Sequence, residues 1–180
     1  VATSNRANVG GTIGNNSAGS HSVIYGKTID HVMELELILS NGDQIMAKPM
    51  TQDQVEEKKS GHTLEAKIYR QVCQIASDHQ DLIRQRFPRI LRRVSGYNLD
   101  EFVVEAGSKE VTPYRRDGGN DKYSFNLSKI IVGSEGTLAT VTEAKVNLVS
   151  TPKMTALNVI HFETLIESME AIAPILECQP

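Results

Sequence analysis

Residues 10–19 read Gly10-Gly11-Thr12-Ile13-Gly14-Asn15-Asn16-Ser17-Ala18-Gly19. Four of the ten are glycine and two are asparagine, the residue types that tolerate left-handed backbone. Glycine also keeps no side chain between the main chain and a ligand, so successive amides can converge on anionic oxygens. A pair of tight turns would use the same composition. Two phosphate-binding patterns are excluded. A Walker loop needs Gly, four residues, then Gly-Lys-Ser/Thr; Gly14 and Gly19 have the first spacing, but Ser20 and His21 follow. Gly26-Lys27-Thr28 has the ending, with His21 where the first glycine belongs. No Gly-x-Gly-x-x-Gly follows an apolar strand, so a dinucleotide fold of the doubly wound kind is a poor fit.

A second glycine segment, Gly133-Ser134-Glu135-Gly136-Thr137-Leu138, lies between two expected strands, Lys129 to Val132 and Leu138 to Val149. An ordinary hairpin with a glycine bulge would look the same. Two such segments, each beside a strand, suggest walls of one long groove. Between them, Val32 to Leu39 alternates as a strand with Met33, Leu35, Leu37 and Leu39 on one face. Asn41-Gly42 and then Gln44 to Ala47 complete a hairpin, ended by Pro49. Leu64, Ile68, Val72, Ile75, Ala76, His79, Leu82 and Ile83 predict one amphipathic helix of about twenty residues, capped by Ser60 or Thr63 and closed by Phe87-Pro88. Residues 105–126 read as a long surface loop. Ala156 to Phe162 reads as a strand and Thr164 to Cys178 as a helix. Strands and helices mix without regular alternation, which predicts α+β rather than α/β.

The chain has 180 residues, enough for one domain and part of a second. Its 19 basic and 22 acidic residues give net −3, which argues against a nucleic-acid binder. No apolar run approaches about 18 residues, so no membrane span is expected, and no signal peptide is visible. Cys73 and Cys178 are too few for a zinc site or disulfide framework and fit a reducing, cytoplasmic compartment, with peripheral membrane association left open. Val1-Ala2-Thr3 opens without Met, and an apolar helical pattern runs up to Gln179-Pro180. Both ends look cut, so a piece of a longer protein is expected.

GGTIGNNSAG, YGKTIDHV, GYNLD and GSEGTL with Thr142-Glu143-Ala144, in this order, resemble the FAD-binding domain of the vanillyl-alcohol-oxidase (PCMH-type) superfamily. The branch they resemble is the FAD-linked D-2-hydroxy-acid dehydrogenases, of the glycolate oxidase flavin subunit, D-lactate dehydrogenase and D-2-hydroxyglutarate dehydrogenase kind. The Arg93-to-Leu99 run and the polar insert before GSEGTL resemble the large members fused to iron–sulfur modules. The resemblance implies an α+β fold: residues 1–150 as the C-terminal part of the FAD-binding domain, with a mostly antiparallel sheet flanked by helices. Residues 151–180 would open an α+β substrate-binding domain. It implies that Ser4, within a Thr3–Ala7 segment, passes the flavin or its ribityl arm. Gly11, Gly14, Asn15, Asn16, Ser17 and Gly19 would touch FAD by backbone and small side chains. Glu135, Gly136, Thr137, Leu138 and Val141 would meet it along a strand edge, toward the adenosine half. Ala139-Thr140 departs from the family's Gly-Ile, and the methyl at 139 could shift a backbone contact.

The implied activity is oxidation of a small 2-hydroxy acid by hydride transfer to flavin, with an electron acceptor or electron-transfer module as partner and an iron–sulfur cluster in the remaining domains. The piece alone is expected to be inactive and to bind FAD weakly or not at all. No catalytic residue and no metal ligand is assigned. A flavin-free scaffold module, an alkyl-glycerone-phosphate synthase and an aromatic-alcohol oxidase are the alternatives. His21 could move protons beside the flavin or stabilise a turn. Lys27 suits a phosphate contact or a turn cap, and residue type does not choose between them. His79 and Cys73 read as packing residues. Arg84, Arg86, Arg89, Arg92 and Arg93 read as a solvated face or as a dock for an acidic electron-transfer partner.

Overall fold

The computed structural model describes residues 5–103 and 125–178. Three short helical turns come first: α1 (Val9–Gly14), α2 (Ser22–Tyr25) and α3 (Thr28–His31). Residues 5–28, rich in Gly, Asn, Ser and Thr, hold α1, α2 and the first residue of α3, with turns and irregular chain between them. Next come β1 (Val32–Ile38), β2 (Gln44–Ala47) and β3 (Pro49–Met50), then α4 (Gln52–Lys59), α5 (Leu64–Asp78) and α6 (Gln80–Arg86). A single 3-10 turn (Leu99–Phe102), β4 (Phe125–Asn126), α7 (Ser128–Ile131) and β5 (Thr140–Val146) follow. Helices with antiparallel sheets make the fold α+β, as the sequence predicts.

The main sheet has the order β2-β1-β5, all antiparallel. The β1–β2 hairpin forms as expected. Its loop is a turn with Gly42 N donating to Leu39 O (2.9 Å) and Gly42 alone at positive φ (+86°), so Asn41 does not share the left-handed conformation. Pairing of β1 with β5 slips twice, between Val32 and Glu34 and between Glu36 and Leu37. The first slip makes Met33 an extra residue, so Val32 rather than Met33 turns inward. The second leaves Thr142 unmatched on β5, which accounts for that strand's imperfect alternation.

The core gathers Ile13, Ile29, Val32, Leu35, Leu37 and Leu39 with Tyr69, Val72, Leu127, Ile130 and Val132. Complete burial of Leu35 and Leu37 contributes about 1.5–3 kcal/mol each. The expected long helix is two helices, broken at His79 (φ −112°, ψ 17°). The buried face of α5 is Ala66, Tyr69, Val72 and Ala76; Ile75, His79 and Leu82 are exposed, contrary to the expected stripe. Thr63 caps α5 by accepting from Ala66 N (3.2 Å), while Ser60 ends α4 instead. α4 was not evident from apolar spacing; its signal is Thr51-x-x-Gln54, whose side chains each bond the other's backbone amide. Cys73 packs against the core, and burial pushes its thiol pKa up.

Two further expectations fail. Lys129 to Val132 is not a strand: Ser128–Ile131 is a helical turn. The surface loop expected at 105–126 lies outside the described residues except for Phe125–Asn126, which pairs with Pro49–Met50 as β4 with β3.

Residues 150–180 form a separate unit. It holds α8 (Leu165–Glu170) and α9 (Ile172–Glu177), with Thr164 and Glu167 capping α8 reciprocally (3.2 Å each). Neither helix has a buried residue. The strand expected at Ala156 to Phe162 is absent; an apolar run needs a ladder partner to become a strand, and none of the described residues supplies one.

Candidate functional site

The first glycine segment is built on α1. Gly10 and Gly11 are exposed, and a side chain built at either would meet nothing within 4 Å. The main chain there is bare and open. After Gly14 the chain reverses: Asn16 N donates to Ile13 O (3.1 Å) and Ser17 N to Thr12 O (3.0 Å). Asn16 carries the reversal at φ +47°, a region where asparagine is tolerated. It is the polar residue of this segment that the fold buries completely, beside Ile13 of the core. Its Oδ1 accepts from Ile29 N (3.0 Å), tying the loop to α3. Its Nδ2 is a buried donor with no partner among the described residues. Asn15 is exposed and donates from Nδ2 to Ser17 Oγ (3.1 Å). Ser17 O accepts from both the amide and hydroxyl of Thr28 (3.2 and 2.8 Å). Gly19 N donates to Ser22 Oγ (2.9 Å).

The second segment lies directly against the first. Gly133 N donates to Ile13 O (3.0 Å), and Glu135 N donates to Gly14 O (2.9 Å). A methyl at Gly14 would sit 3.8 Å from Glu135 Cα. Gly133, Glu135 and Gly136 all have positive φ (+85°, +53° and +77°). This strained turn joins α7 to β5 and is no hairpin. The sequence placed its left-handed positions chiefly in residues 10–19; the structure puts three of them here. Glu135, Gly136, Thr137 and Leu138 are exposed, and Thr137 Oγ1 donates to Ser134 O (2.6 Å).

The sequence-derived candidates thus divide. Gly14 meets Glu135 and Asn16 lies against Gly133, while Gly11, Asn15, Ser17 and Gly19 belong to the first of these two joined segments and Gly136, Thr137 and Leu138 to the second. Val141 does not present itself in the same way: it pairs with Leu37 in the sheet and packs on the core. Ser4 lies outside the described residues. The expectation that both segments adjoin strands fails for the first, which is flanked by helical turns.

Other candidates resolve differently. His21 is exposed at the start of α2 and makes no side-chain cap. Lys27 acts as a turn residue: its amide donates to Asp30 Oδ2 (2.7 Å) and its Nζ to Arg93 O (3.3 Å). The arginine run is not one solvated face. Arg93 is half-buried, paired with Asp100 (2.5 Å), and lies 5.0 Å from the Phe87 ring centre. Arg86, Arg89 and Arg92 are exposed. An open groove lined by Phe87, Ile90, Tyr97 and Leu99 borders this run and includes no residue of either glycine segment.

The Gly96-Tyr97-Asn98 run has no role that its residue types alone assign. Asn98 is fully buried, and its Nδ2 donates to Lys129 O (3.1 Å) and Val132 O (2.7 Å). A buried amide between apolar neighbours needs such partners, but no local pattern says which ones.

Bare exposed backbone at Gly10, Gly11 and Gly136, with an unpartnered buried donor at Asn16, suits a long polar ligand lying along main chain. These features fit a flavin nucleotide. Residues 1–48 match the FAD binding domain family, a span that holds the first segment and not the second. The chain is 31% identical over 99% of its length to a D-2-hydroxyglutarate dehydrogenase of Pantoea ananatis. It is 29% identical over its whole length to one of Pseudomonas putida, and 32% identical over 91% to one of Escherichia coli. It spans only 16%, 16% and 15% of those relatives' own lengths. No solved structure matches it significantly.

Proposed function

We propose that this chain, whose resemblance to the FAD-linked 2-hydroxy-acid dehydrogenase branch of the PCMH-type superfamily is shown over nearly all its length, supplies one wall of an FAD site in an enzyme that oxidises a 2-hydroxy acid. The substrate class is D-2-hydroxyglutarate, after the similar proteins' names. The observation that carries the proposal is the Glu135 N to Gly14 O hydrogen bond, which makes two separate side-chain-poor segments one surface.

On this surface the main chain of Gly11, Gly14, Asn15 and Ser17 would lie along the cofactor, with Asn16 and Gly19 shaping the reversal. Glu135 to Leu138 would continue the wall. Bound FAD supplies the capacity to accept a hydride from the substrate's α-carbon. The chain's own work is orientation: fixed backbone groups need no rearrangement when a ligand arrives. The groups that hold the substrate carboxylates and take the hydroxyl proton are assigned to the rest of the protein. Residues 1–150 then complete the FAD-binding domain and 151–180 open the substrate domain. An external acceptor or an iron–sulfur module in the rest of the protein would take up the electrons. A cytoplasmic location, with peripheral membrane association through such a partner, fits a chain with two free cysteines. No helix of the described residues is long and apolar enough to cross a membrane.

The test is the full-length protein. It is expected to carry flavin absorbance and to reduce a dye with D-2-hydroxyglutarate faster than with D-lactate, glycolate or a phenolic alcohol. A protein that takes up no FAD on reconstitution overturns the proposal; a preference for another substrate in the panel moves it to that chemistry.

A further inference from the structure

We infer that Asn98 and Tyr97 are positioning residues that hold the Gly133–Thr137 turn in its cofactor-facing shape; the cofactor part of this rests on the FAD reading above. The turn is strained, because Glu135 adopts a left-handed conformation that L residues take up at a cost. Something must over-determine it. Its front is held by Ile13 and Gly14. Asn98 holds its incoming side, donating to Lys129 O and Val132 O, immediately before Gly133. Tyr97 holds its outgoing side through a 2.9 Å hydrogen bond between its hydroxyl and Thr137 Oγ1. Thr137 Oγ1 already donates to Ser134 O, so here it accepts from Tyr97.

Asn98 is itself locked. Its Oδ1 accepts from Arg93 Nη1 (3.1 Å), and Arg93 is fixed by both oxygens of Asp100 (2.6 and 2.5 Å) and by the Phe87 ring. This orients the amide with both Nδ2 protons toward the turn. A carboxylate in its place would oppose two carbonyl oxygens. Space is tight behind the turn as well: a methyl at Gly133 would lie 3.3 Å from Asn16 Cβ and 3.6 Å from Asn98 Nδ2. The exposed face of 135–138 is thereby set by Asn98 from its buried side and by Tyr97 at its exposed edge.

The experiment uses full-length protein freed of flavin and titrated with FAD, with Asn98→Asp and Tyr97→Phe variants. Three readouts are taken: FAD dissociation constant, melting temperature, and hydrogen exchange at the Gly133 and Glu135 amides without FAD. Asn98→Asp is expected to speed that exchange roughly tenfold or more and to weaken FAD binding roughly twentyfold. Tyr97→Phe removes an exposed hydroxyl bond and is expected to weaken FAD binding about fivefold with an unchanged melting temperature; it stands alone if Asn98→Asp does not fold. Unchanged exchange and unchanged FAD affinity in a wild type that binds FAD overturn the inference and leave the FAD reading standing. A lowered melting temperature with unchanged affinity also overturns it, since that is a structural role only. Faster exchange in a protein that never binds FAD supports the clamp and removes the FAD reading.

Discussion

The amide of Glu135 meets the carbonyl of Gly14 at 2.9 Å, joining two segments that are remote in sequence. Had they lain on opposite sides of the molecule, a shared ligand would have been ruled out. Their contact runs through backbone on both sides, so it survives most side-chain changes and fails when the backbone itself is forced to move.

Gly11 tests the ligand and the fold in opposite directions. It lies within α1, exposed, with open space where a side chain would go. Leucine is a better helix former than glycine by up to about 1 kcal/mol. Gly11→Leu is therefore expected to leave the melting temperature unchanged or higher. FAD binding by the full-length protein should fall at least roughly tenfold, because the new side chain stands where backbone would meet the ligand. Parallel fluorescence titration and thermal melts check both halves.

Gly133 tests the join. Its φ of +85° excludes a comfortable side chain, and the added methyl would press on Asn16 Cβ at 3.3 Å. Gly133→Ala is expected to cost about 1–3 kcal/mol in denaturant unfolding and to weaken FAD binding with it.

Asn16 tests the loop's anchor. Removing its carbonyl oxygen strands the buried Ile29 amide. Asn16→Ala should cost about 1–3 kcal/mol, measured by urea denaturation, whether or not FAD is present.

These sites show what the sequence could and could not disclose. The Gly10–Gly19 run was legible because composition alone exposes bare backbone. The β1–β2 hairpin was legible because the alternation of Leu35, Leu37 and Leu39 with Glu34 and Glu36 and the Asn41-Gly42 pair are local signals. The helical turn at Ser128–Ile131 was not, since Lys129-Ile130-Ile131-Val132 has the β-branched composition of a strand and only burial against β1 and the 3-10 turn decides otherwise. Nor was the left-handed Glu135: a non-glycine residue carries no mark of positive φ, and the bond from its amide to Gly14 O comes from a segment remote in sequence. The reversed roles of Val32 and Met33 depend on a bulge set by the partner strand, which periodicity within one strand does not contain.

Alkaline pH should loosen the fold through α5. Burial raises the pKa of the Tyr69 hydroxyl and the Cys73 thiol above their ordinary values of 10.0 and 9.0. Both groups are held protonated in the folded state, so their contribution is complete below those values. It is lost as rising pH ionises the unfolded chain first. For Tyr69 the loss is about 1.4 kcal/mol per pH unit above its unfolded value; the half-exposed thiol contributes less. Urea midpoints should fall from pH 9 upward, and Tyr69→Phe should flatten the upper part of that fall.

The most direct measurement is hydrogen exchange on the full-length protein with and without FAD. One cofactor lying along both segments predicts that FAD slows exchange in residues 10–19 and in residues 133–138 together, at the same FAD concentration. Protection of one segment without the other, or of neither in a protein that has bound FAD, would contradict it.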